Sequence, residues 1–379
     1  MIYADNAATT KPSETALNQA LAFWRDEYGN ASSRHSLGTK ARRAVEKARR
    51  DVAEALGAES DEIFFTSGGS EGNALVWNAA TGEAATSTIE HESVFQSSRA
   101  FVNRGGNVVY ASVGSDGVVS LETLKRTLRP TTRFVSIMAV NNEIGTIQPI
   151  AEIGRFLRRR GVLFHSDAVQ AVGRIPVDVK TLNVDFLTAS AHKFNGLKGV
   201  GILYKRRGVA LEPAIRGGGQ EGGLRAGTEN VGGVVAAACA LAENVAAMKE
   251  TNERLQALEN TTLKRLRERT PSNAFQVVAE TTRRVPGFFS LVFDGANGEA
   301  LTQLADLKGV CVSPGAACSS GRSEPSRVLT ALGASEREAK SAVRVSFGRF
   351  NLERDAEAVA DALAFAYRKI VAAKRLARE

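Results

Sequence analysis

Short β-branched runs alternate with helical patterns through the first two-thirds of this 379-residue chain, and this alternation constrains the fold more than any other feature. Strand-like segments fall at Ile63–Thr66, Arg133–Val140, Gly161–Ser166, Asp185–Ala189 and Gly199–Tyr204. Helices or loops separate them, as at Ile150–Arg160. The pattern predicts an α/β protein with a mainly parallel sheet that is covered on both faces.

The last third of the chain has a different pattern of predicted helices and strands. After the glycine-rich stretch Arg216–Gly233, helices are predicted over Val234–Met248 and Asn252–Arg269. Beyond them, Phe288–Phe293 and Val310–Ser313 resemble strands, and Glu353–Lys374 resembles a closing helix. We therefore predict a large domain over residues 14–251, and a smaller α+β domain formed by residues 1–13 and 252–379.

The amino-acid composition restricts the classes of protein to which this chain can belong. Hydrophobic residues make up 43% and charged residues 24%, which is typical of globular proteins. No apolar run approaches the ~18 residues of a membrane helix, and the first residues lack a secretory pattern. Three cysteines indicate a reducing compartment, so we expect a cytoplasmic protein. The net charge of +8 is spread over helix faces, so no direct contact with nucleic acid is expected.

Lys193 gives the strongest local signal for chemistry. It ends the strand-like segment 185–193, and ligands bind at the carboxyl ends of parallel strands. A desolvated lysine amine there can form a Schiff base. Taken alone the segment fits a surface lysine better, so the interpretation depends on the segments around it.

The segment Thr66–Asn73 (TSGGSEGN) lies between a predicted strand and a predicted helix. Its small residues allow close approach of an anion to the N–H groups at the helix start, and Ser70 adds a hydroxyl donor. A phosphate site and an ordinary glycine turn both fit this pattern.

Asp167 and His91 follow two other strand-like segments. A carboxylate at position 167 can pair with a protonated ring nitrogen or cap the following helix, and Gln170 lies one turn later. His91 can act as acid and base near neutral pH or satisfy a loop. Of the other histidines, His35 and His165 are interpreted as structural and His192 stays open. No histidine has zinc-site spacing with cysteines, so no fixed metal site is expected.

Pyridoxal phosphate enzymes use a phosphate-binding turn, a carboxylate that pairs with the ring nitrogen, a lysine and a histidine. The sequence predicts all four at one edge of the sheet. Long matching segments then identify a resemblance. The chain resembles the cysteine desulfurases of the iron–sulfur assembly and nitrogen-fixation type, which are class V aminotransferase-like enzymes. The matching segments are Tyr3–Thr10, Gly29–Gly38, Thr66–Asn73, Asn141–Ile150, His165–Gln170, Ser190–Gly201, Gly217–Asn230, Ser313–Ser319 and Arg344–Phe350.

The resemblance implies a fold-type I pyridoxal phosphate transferase fold, with a seven-stranded sheet in the large domain. It also implies pyridoxal 5'-phosphate as cofactor, held by a Schiff base to Lys193. By resemblance, the cofactor-binding residues are Gly69, Ser70, Asp167, Gln170, Ser190, His192 and Lys193, with Thr228 contributed by the other subunit of a homodimer. His91 is implied as acid–base residue, and Asn141 and Arg344 as ligands of the substrate carboxylate.

The same resemblance separates the three cysteines. Cys239 lies in an alanine-rich helix and Cys311 in an alternating run, so both are interpreted as packed. Cys318 lies in a segment of small residues within a predicted mobile loop of about residues 313–325. The resemblance implies that Cys318 accepts sulfur from L-cysteine as a persulfide, leaving L-alanine. An acceptor protein, either an iron–sulfur scaffold or a thiolation enzyme, would then take the sulfur, and Cys318 could be a transient cluster ligand.

Two alternatives remain open from the sequence. A related pyridoxal phosphate lyase or aminotransferase, such as a selenocysteine lyase, would use Lys193 and Asp167 but not Cys318. An inactive scaffold that kept the fold would be expected to lose Lys193 or Asp167, and both are present.

Overall fold

The computed structural model describes residues 1–315 and 325–376. The strands in these residues are β1 (Ile2–Tyr3), β2 (Ile63–Thr66), β3 (Glu83–Ser87), β4 (Asn107–Ala111), β5 (Thr132–Ser136), β6 (Leu163–Asp167), β7 (Phe186–Ser190), β8 (Gly201–Lys205), β9 (Phe275–Val277), β10 (Phe288–Phe293), β11 (Val310–Cys311), β12 (Ser313–Pro314) and β13 (Ala342–Ser346). The helices are α1 (Glu14–Arg25), α2 (Ser36–Leu56), α3 (Gly69–Val76), α4 (Glu92–Asn103), α5 (Leu121–Thr127), α6 (Ile150–Arg159), α7 (Val179–Leu182), α8 (Val231–Ala246), α9 (Met248–Arg269), α10 (Gly298–Asp306), α11 (Arg327–Ala331), α12 (Glu336–Ala339) and α13 (Glu353–Leu376).

Seven strands form the central sheet in the order β2-β8-β7-β6-β5-β3-β4. The pairs from β4 through β7 are parallel, and β8 runs antiparallel to both of its neighbours. Successive side chains enter opposite cores: Leu187 packs beneath α2 and α8, while Phe186 packs with Trp77 on the other face. The predicted mainly parallel sheet with two covered faces is therefore confirmed.

The second sheet is antiparallel, in the order β12-β13-β10-β9. Its buried face packs against α9, α10 and α13 in a separate hydrophobic cluster that includes Phe289, Phe293 and Leu363. The N-terminal strand β1 pairs in parallel with β11, which attaches the first residues to this part of the molecule. The domain boundary predicted near Thr251 falls inside α9, so the division into two domains remains a proposal.

Several element boundaries differ from those predicted, and two of these differences affect the site. Helix α3 begins at Gly69, inside the segment Thr66–Asn73 that was predicted to precede it, so Gly69 and Ser70 belong to its first turn. The predicted loop of residues 313–325 starts too early, since Ser313 and Pro314 pair with β13.

Among the described residues, no single helix is long and apolar enough to cross a bilayer. Helices α8 and α9 meet that criterion only when taken together, and their axes differ by 71°.

Candidate active site

A cavity of about 220 Å³ opens at the carboxyl ends of β6 and β7, as expected for ligand sites in parallel sheets. The residues that line it come from strand ends, the start of α3 and the start of α4. They are Gly69, Ser70, Asn73, His91, Ser93, Met138, Val140, Asn142, Asp167, Val169, Gln170, Ser190, His192 and Lys193. A larger groove of about 1100 Å³ lies beside α2, but its central groups Arg49 and Glu221 already form a bidentate ion pair.

Lys193 reaches the cavity from the 3₁₀ turn Ala191–Lys193, which directly follows β7. Its Nζ donates to the carbonyl oxygens of Ala7 and Ala8, at 2.7 and 2.8 Å. These carbonyls belong to the N-terminal segment, which crosses from β1 to the large sheet. The amine is thus held at the sheet edge rather than in bulk water, as a Schiff-base lysine requires.

The start of α3 forms one wall of the cavity. Gly69 and Ser70 are its first two residues, so the unpaired N–H groups of the helix start lie at this wall. A Cβ on Gly69 would lie 2.7 Å from Val169 Cγ2, and one on Gly201 would lie 2.6 Å from the Gly68 carbonyl carbon. Glycine at 69 and 201 is therefore needed for the close packing of this wall. Ser190, at the end of β7, lines the cavity nearby.

Asp167 is buried at the end of β6. Its Oδ2 accepts from Asn73 Nδ2 at 2.7 Å, and its Oδ1 accepts from the Val169 N–H at 3.0 Å. Gln170 donates through Nε2 to the Ala7 carbonyl, while its buried Oε1 has no hydrogen-bond partner among the described residues. An oriented carboxylate beside an unpartnered acceptor suits an aromatic ring that carries a protonated nitrogen and a hydroxyl group.

Two neutral histidines line the cavity. His91 caps α4, and its Nδ1 accepts the Ser93 N–H at 3.1 Å, so the proton of the neutral ring lies on Nε2. Burial lowers the pKa of His91, Lys193 lowers it further and Asp167 opposes the shift. Burial, with the positive charge of Lys193 next, lowers the pKa of His192 to about 4. His192 Nδ1 lies 3.1 Å from Thr9 Oγ1.

Glu90 is a buried carboxyl group next to His91. Its Oε1 accepts from Ser87 Oγ and from the Met138 N–H, and its Oε2 has no partner among the described residues. Burial raises the pKa of Glu90 from 4.5 to about 8. The folded protein therefore holds a proton on Glu90 in a pH range where the unfolded chain has lost it.

We expect Glu90→Gln to flatten the dependence of stability on pH. In the wild type, the contribution of Glu90 to the free energy of unfolding is fully present below its unfolded pKa of 4.5 and is lost as the pH rises through about 8. Between these values, the loss is about 1.4 kcal/mol per pH unit. Urea unfolding at several pH values measures this slope. The exposed-site variant Glu122→Gln should keep the wild-type slope, and an unchanged slope in Glu90→Gln would contradict the prediction.

The structure does not bring Asn141 to the cavity, contrary to the sequence prediction for this side chain. Asn141 Nδ2 donates to the Ile89 carbonyl, and its Oδ1 accepts from the N–H groups of Glu143 and Ile144. These bonds close the turn after β5. The next residue, Asn142, lines the cavity instead, with its buried Oδ1 unpartnered among the described residues.

Arg344 lies on β13, just behind the cavity wall. Its Nη1 donates to the Asn142 carbonyl at 2.9 Å, and its Nη2 contacts Asp5 Oδ1 at 2.7 Å. The guanidinium is buried, so the ion pair with Asp5 offsets the cost of desolvating it. Arg344 therefore contacts the backbone of a cavity residue rather than the cavity itself.

Of the two remaining predicted site residues, Thr228 does not line the cavity. Thr228 is exposed on the loop between the Gln220–Gly223 turn and α8. Cys318 lies outside the described residues. Among the described residues that flank it in sequence, the Gly315 N–H donates to the Ala342 carbonyl and Ser326 caps α11.

The other histidines have the structural roles expected of them. His165 is fully buried, with Nδ1 at 2.8 Å from Ser136 Oγ and Nε2 at 3.0 Å from Thr188 Oγ1. Burial lowers its pKa to about 3. His35 caps α2 by accepting the Gly38 N–H.

The chain matches the family model described as Aminotransferase class-V over residues 2–359. It belongs to the class-V aminotransferases.

The cysteine desulfurase IscS of Clostridium botulinum is 39% identical over 96% of this chain and 93% of its own length. A solved structure of a NifS-like protein is 36% identical, covers 96% of this chain and 98% of its own, and superposes with a TM-score of 0.90. The structure of SspA in complex with cysteine is 31% identical over 93% of this chain and 100% of its own, with a TM-score of 0.81. Within its family, the chain is thus a member of the cysteine desulfurases.

In this class-V aminotransferase, sequence reasoning missed three kinds of cavity contact. Asn73 was inside a motif already singled out, but its bond to Asp167 was not anticipated. Asn142 is the second residue of an Asn-Asn pair of which the first was chosen. The carbonyls of Ala7 and Ala8 carry no side-chain signal at all.

Proposed function

We propose that the protein is a pyridoxal phosphate-dependent cysteine desulfurase that converts L-cysteine to L-alanine. The observation that carries the proposal is the meeting of Lys193 and Asp167 at one cavity, beside the N-terminus of α3. The names of its relatives support the reaction, and the SspA complex supports L-cysteine as the ligand.

The cavity residues suit the cofactor in size and chemistry. Pyridoxal phosphate supplies an aldehyde that condenses with amines and a ring that accepts electrons from the substrate Cα. Gly69, Ser70, Ser190 and His192 would hold the phosphate at the start of α3. Asp167 would keep the ring nitrogen protonated, and Gln170 Oε1 would accept from the ring hydroxyl.

Asn142 and Arg344 are proposed to receive the substrate carboxylate. We place Asn142 in this role instead of Asn141 because only Asn142 lines the cavity. The Arg344 guanidinium donates to the Asn142 carbonyl and to the Asp5 carboxylate. The substrate carboxylate could replace that of Asp5 and accept two hydrogen bonds from the guanidinium.

Two groups are proposed to move protons. Lys193 Nζ removes the proton from the substrate Cα, since its side chain lines the cavity. His91, neutral with its proton on Nε2, donates and accepts at the sulfur end of the substrate. Burial lowers the pKa of His91, which favours the neutral ring for this role.

Cys318 is proposed as the sulfur acceptor. Its thiolate attacks the substrate sulfur; an S–S bond forms and the Cβ–S bond of the substrate breaks. The electron pair of the broken bond stays on the carbon skeleton, which takes up protons to become alanine. L-cysteine and the Cys318 thiol thus give L-alanine and a Cys318 persulfide without an external oxidant. A sulfur-acceptor protein for iron–sulfur assembly or thiolation would receive the terminal sulfur.

We further propose a homodimer in which Thr228 reaches the phosphate of the partner subunit, because Thr228 is exposed and does not line the cavity of its own chain. The division into a large domain (14–251) and a small domain (1–13 and 252–379) is proposed on the two separate hydrophobic clusters. A cytoplasmic location belongs to the same proposal.

The direct test is turnover of L-cysteine by the cofactor-loaded protein with dithiothreitol present. We expect alanine and sulfide in equal amounts, since each persulfide releases one sulfide on reduction. L-Selenocysteine, assayed in parallel, tests the lyase alternative. Turnover of selenocysteine without turnover of cysteine would overturn the proposed function, as would pyruvate in place of alanine.

A further inference from the structure

We propose that Arg327 is a positioning residue that ties the start of α11 to the turn carrying His91. Arg327 follows Cys318 by nine residues, so one side chain would link the sulfur-accepting segment to the acid–base histidine. This inference rests on the proposed function of Cys318 and His91.

The contacts of Arg327 converge on residues that flank His91. Nη1 donates to Glu92 Oε2 at 2.9 Å, and Nη2 donates to the Glu90 carbonyl at 2.8 Å. The guanidinium carbon lies 3.9 Å from the centre of the Phe95 ring, which is stacking distance. Arg327 therefore contacts the residues on both sides of His91 and the helix that His91 caps.

A second contact, between Ser326 and Glu143, fixes the same end of α11. Ser326 Oγ donates to Glu143 and accepts the Leu329 N–H at 3.0 Å, which caps the helix. Burial raises the pKa of Glu143 to about 7. Val328 and Leu329 pack with apolar residues from the cavity side of the sheet, including Ile89 and Met138. The apolar contacts fix the position of α11, and the Arg327 contacts fix its orientation toward His91.

The chain geometry gives this link a specific consequence. Cys318 lies three residues after Gly315, which is anchored to Ala342, and eight residues before Ser326. Extended chain spans at most ~11 Å in the first case and ~29 Å in the second. Chain length alone therefore keeps Cys318 within ~11 Å of Gly315 and within ~29 Å of Ser326. Losing the Arg327 contacts should disturb sulfur transfer more than cysteine binding, because Arg327 does not line the cavity.

Arginine suits this position better than lysine. Its planar fork binds a carbonyl and a carboxylate simultaneously while its face stacks on an aromatic ring. A lysine would keep the charge opposite Glu92 but could not make all three contacts. Arg327→Lys should therefore weaken the link between α11 and the His91 turn in part, and Arg327→Ala should remove it. Neither variant introduces a bulky group.

The test measures kcat and KM for L-cysteine per cofactor-loaded subunit. For Arg327→Ala, we expect kcat to fall about tenfold with KM changed by less than about twofold, and for Arg327→Lys an intermediate kcat. The matched control is Arg337→Ala, which breaks an exposed ion pair with Asp294 and should leave both constants unchanged. Wild-type kcat in Arg327→Ala would overturn the inference, as would a parallel loss in the control.

A second readout does not depend on turnover. In a Cys239→Ser, Cys311→Ser background, the rate of Cys318 alkylation by iodoacetamide should rise about fivefold in Arg327→Ala, because the start of α11 loses its contacts to Glu90, Glu92 and Phe95. An unchanged rate would overturn the inference. Should Arg327→Ala fail to fold, Phe95→Leu, which removes the ring beneath Arg327 but keeps both Arg327 hydrogen bonds, is expected to raise the alkylation rate about twofold. A wild type that makes no alanine would contradict the proposed function and leave the alkylation test of Arg327 intact.

Discussion

Replacing Lys193 by alanine is expected to lower alanine formation from L-cysteine by at least about 10⁴-fold. Lys193 would both hold the cofactor aldehyde and move the Cα proton, and no other amine lines the cavity among the described residues. The purified variant should also lose the visible absorbance of a lysine Schiff base. Coupled assay of alanine and absorption spectra of the same sample measure both effects.

The matched control is Lys198→Ala. Lys198 is exposed five residues later in the same loop, so its replacement removes an equal charge without touching the cavity. We expect wild-type turnover and absorbance in this variant. Substantial alanine formation by Lys193→Ala, above about one part in a hundred of wild type, would exclude Lys193 as the essential amine.

Cys318→Ser is expected to abolish the protein persulfide and to reduce alanine formation by at least about 100-fold. A serine hydroxyl cannot accept the sulfur, whereas the cavity and its binding groups remain. Binding of L-cysteine should persist, seen as a change in cofactor absorbance without turnover. Mass spectrometry after a single addition of L-cysteine measures the persulfide directly.

Cys239→Ser and Cys311→Ser are the matched controls, and both should keep wild-type activity. Burial, together with Glu243, raises the pKa of Cys239. Burial, together with Asp306, raises the pKa of Cys311. Neither thiol is poised to ionise near neutral pH, so neither can replace Cys318 as thiolate. Undiminished alanine formation by Cys318→Ser would instead favour the related lyase.

The sequence predicted the sheet and the residues at its edge for a single physical reason. In a parallel sheet, all strands end on the same side, so residues that follow different strands must meet. Asp167 at the end of β6 and Lys193 after β7 were therefore placed together without knowledge of side-chain contacts. His91, which follows β3 by a short loop, joined them for the same reason.

By itself, the sequence determined the fold class, the family resemblance and the residues that reach the cavity from strand ends. Tertiary structure alone decided between Asn141 and Asn142, because adjacent side chains point in different directions and only the turn geometry selects one. It also decided which backbone carbonyls hold Lys193 and which side chain holds Arg327, since these contacts join segments far apart in the chain. Local periodicity reports which face of an element is buried, but it carries no information about which distant group packs against that face.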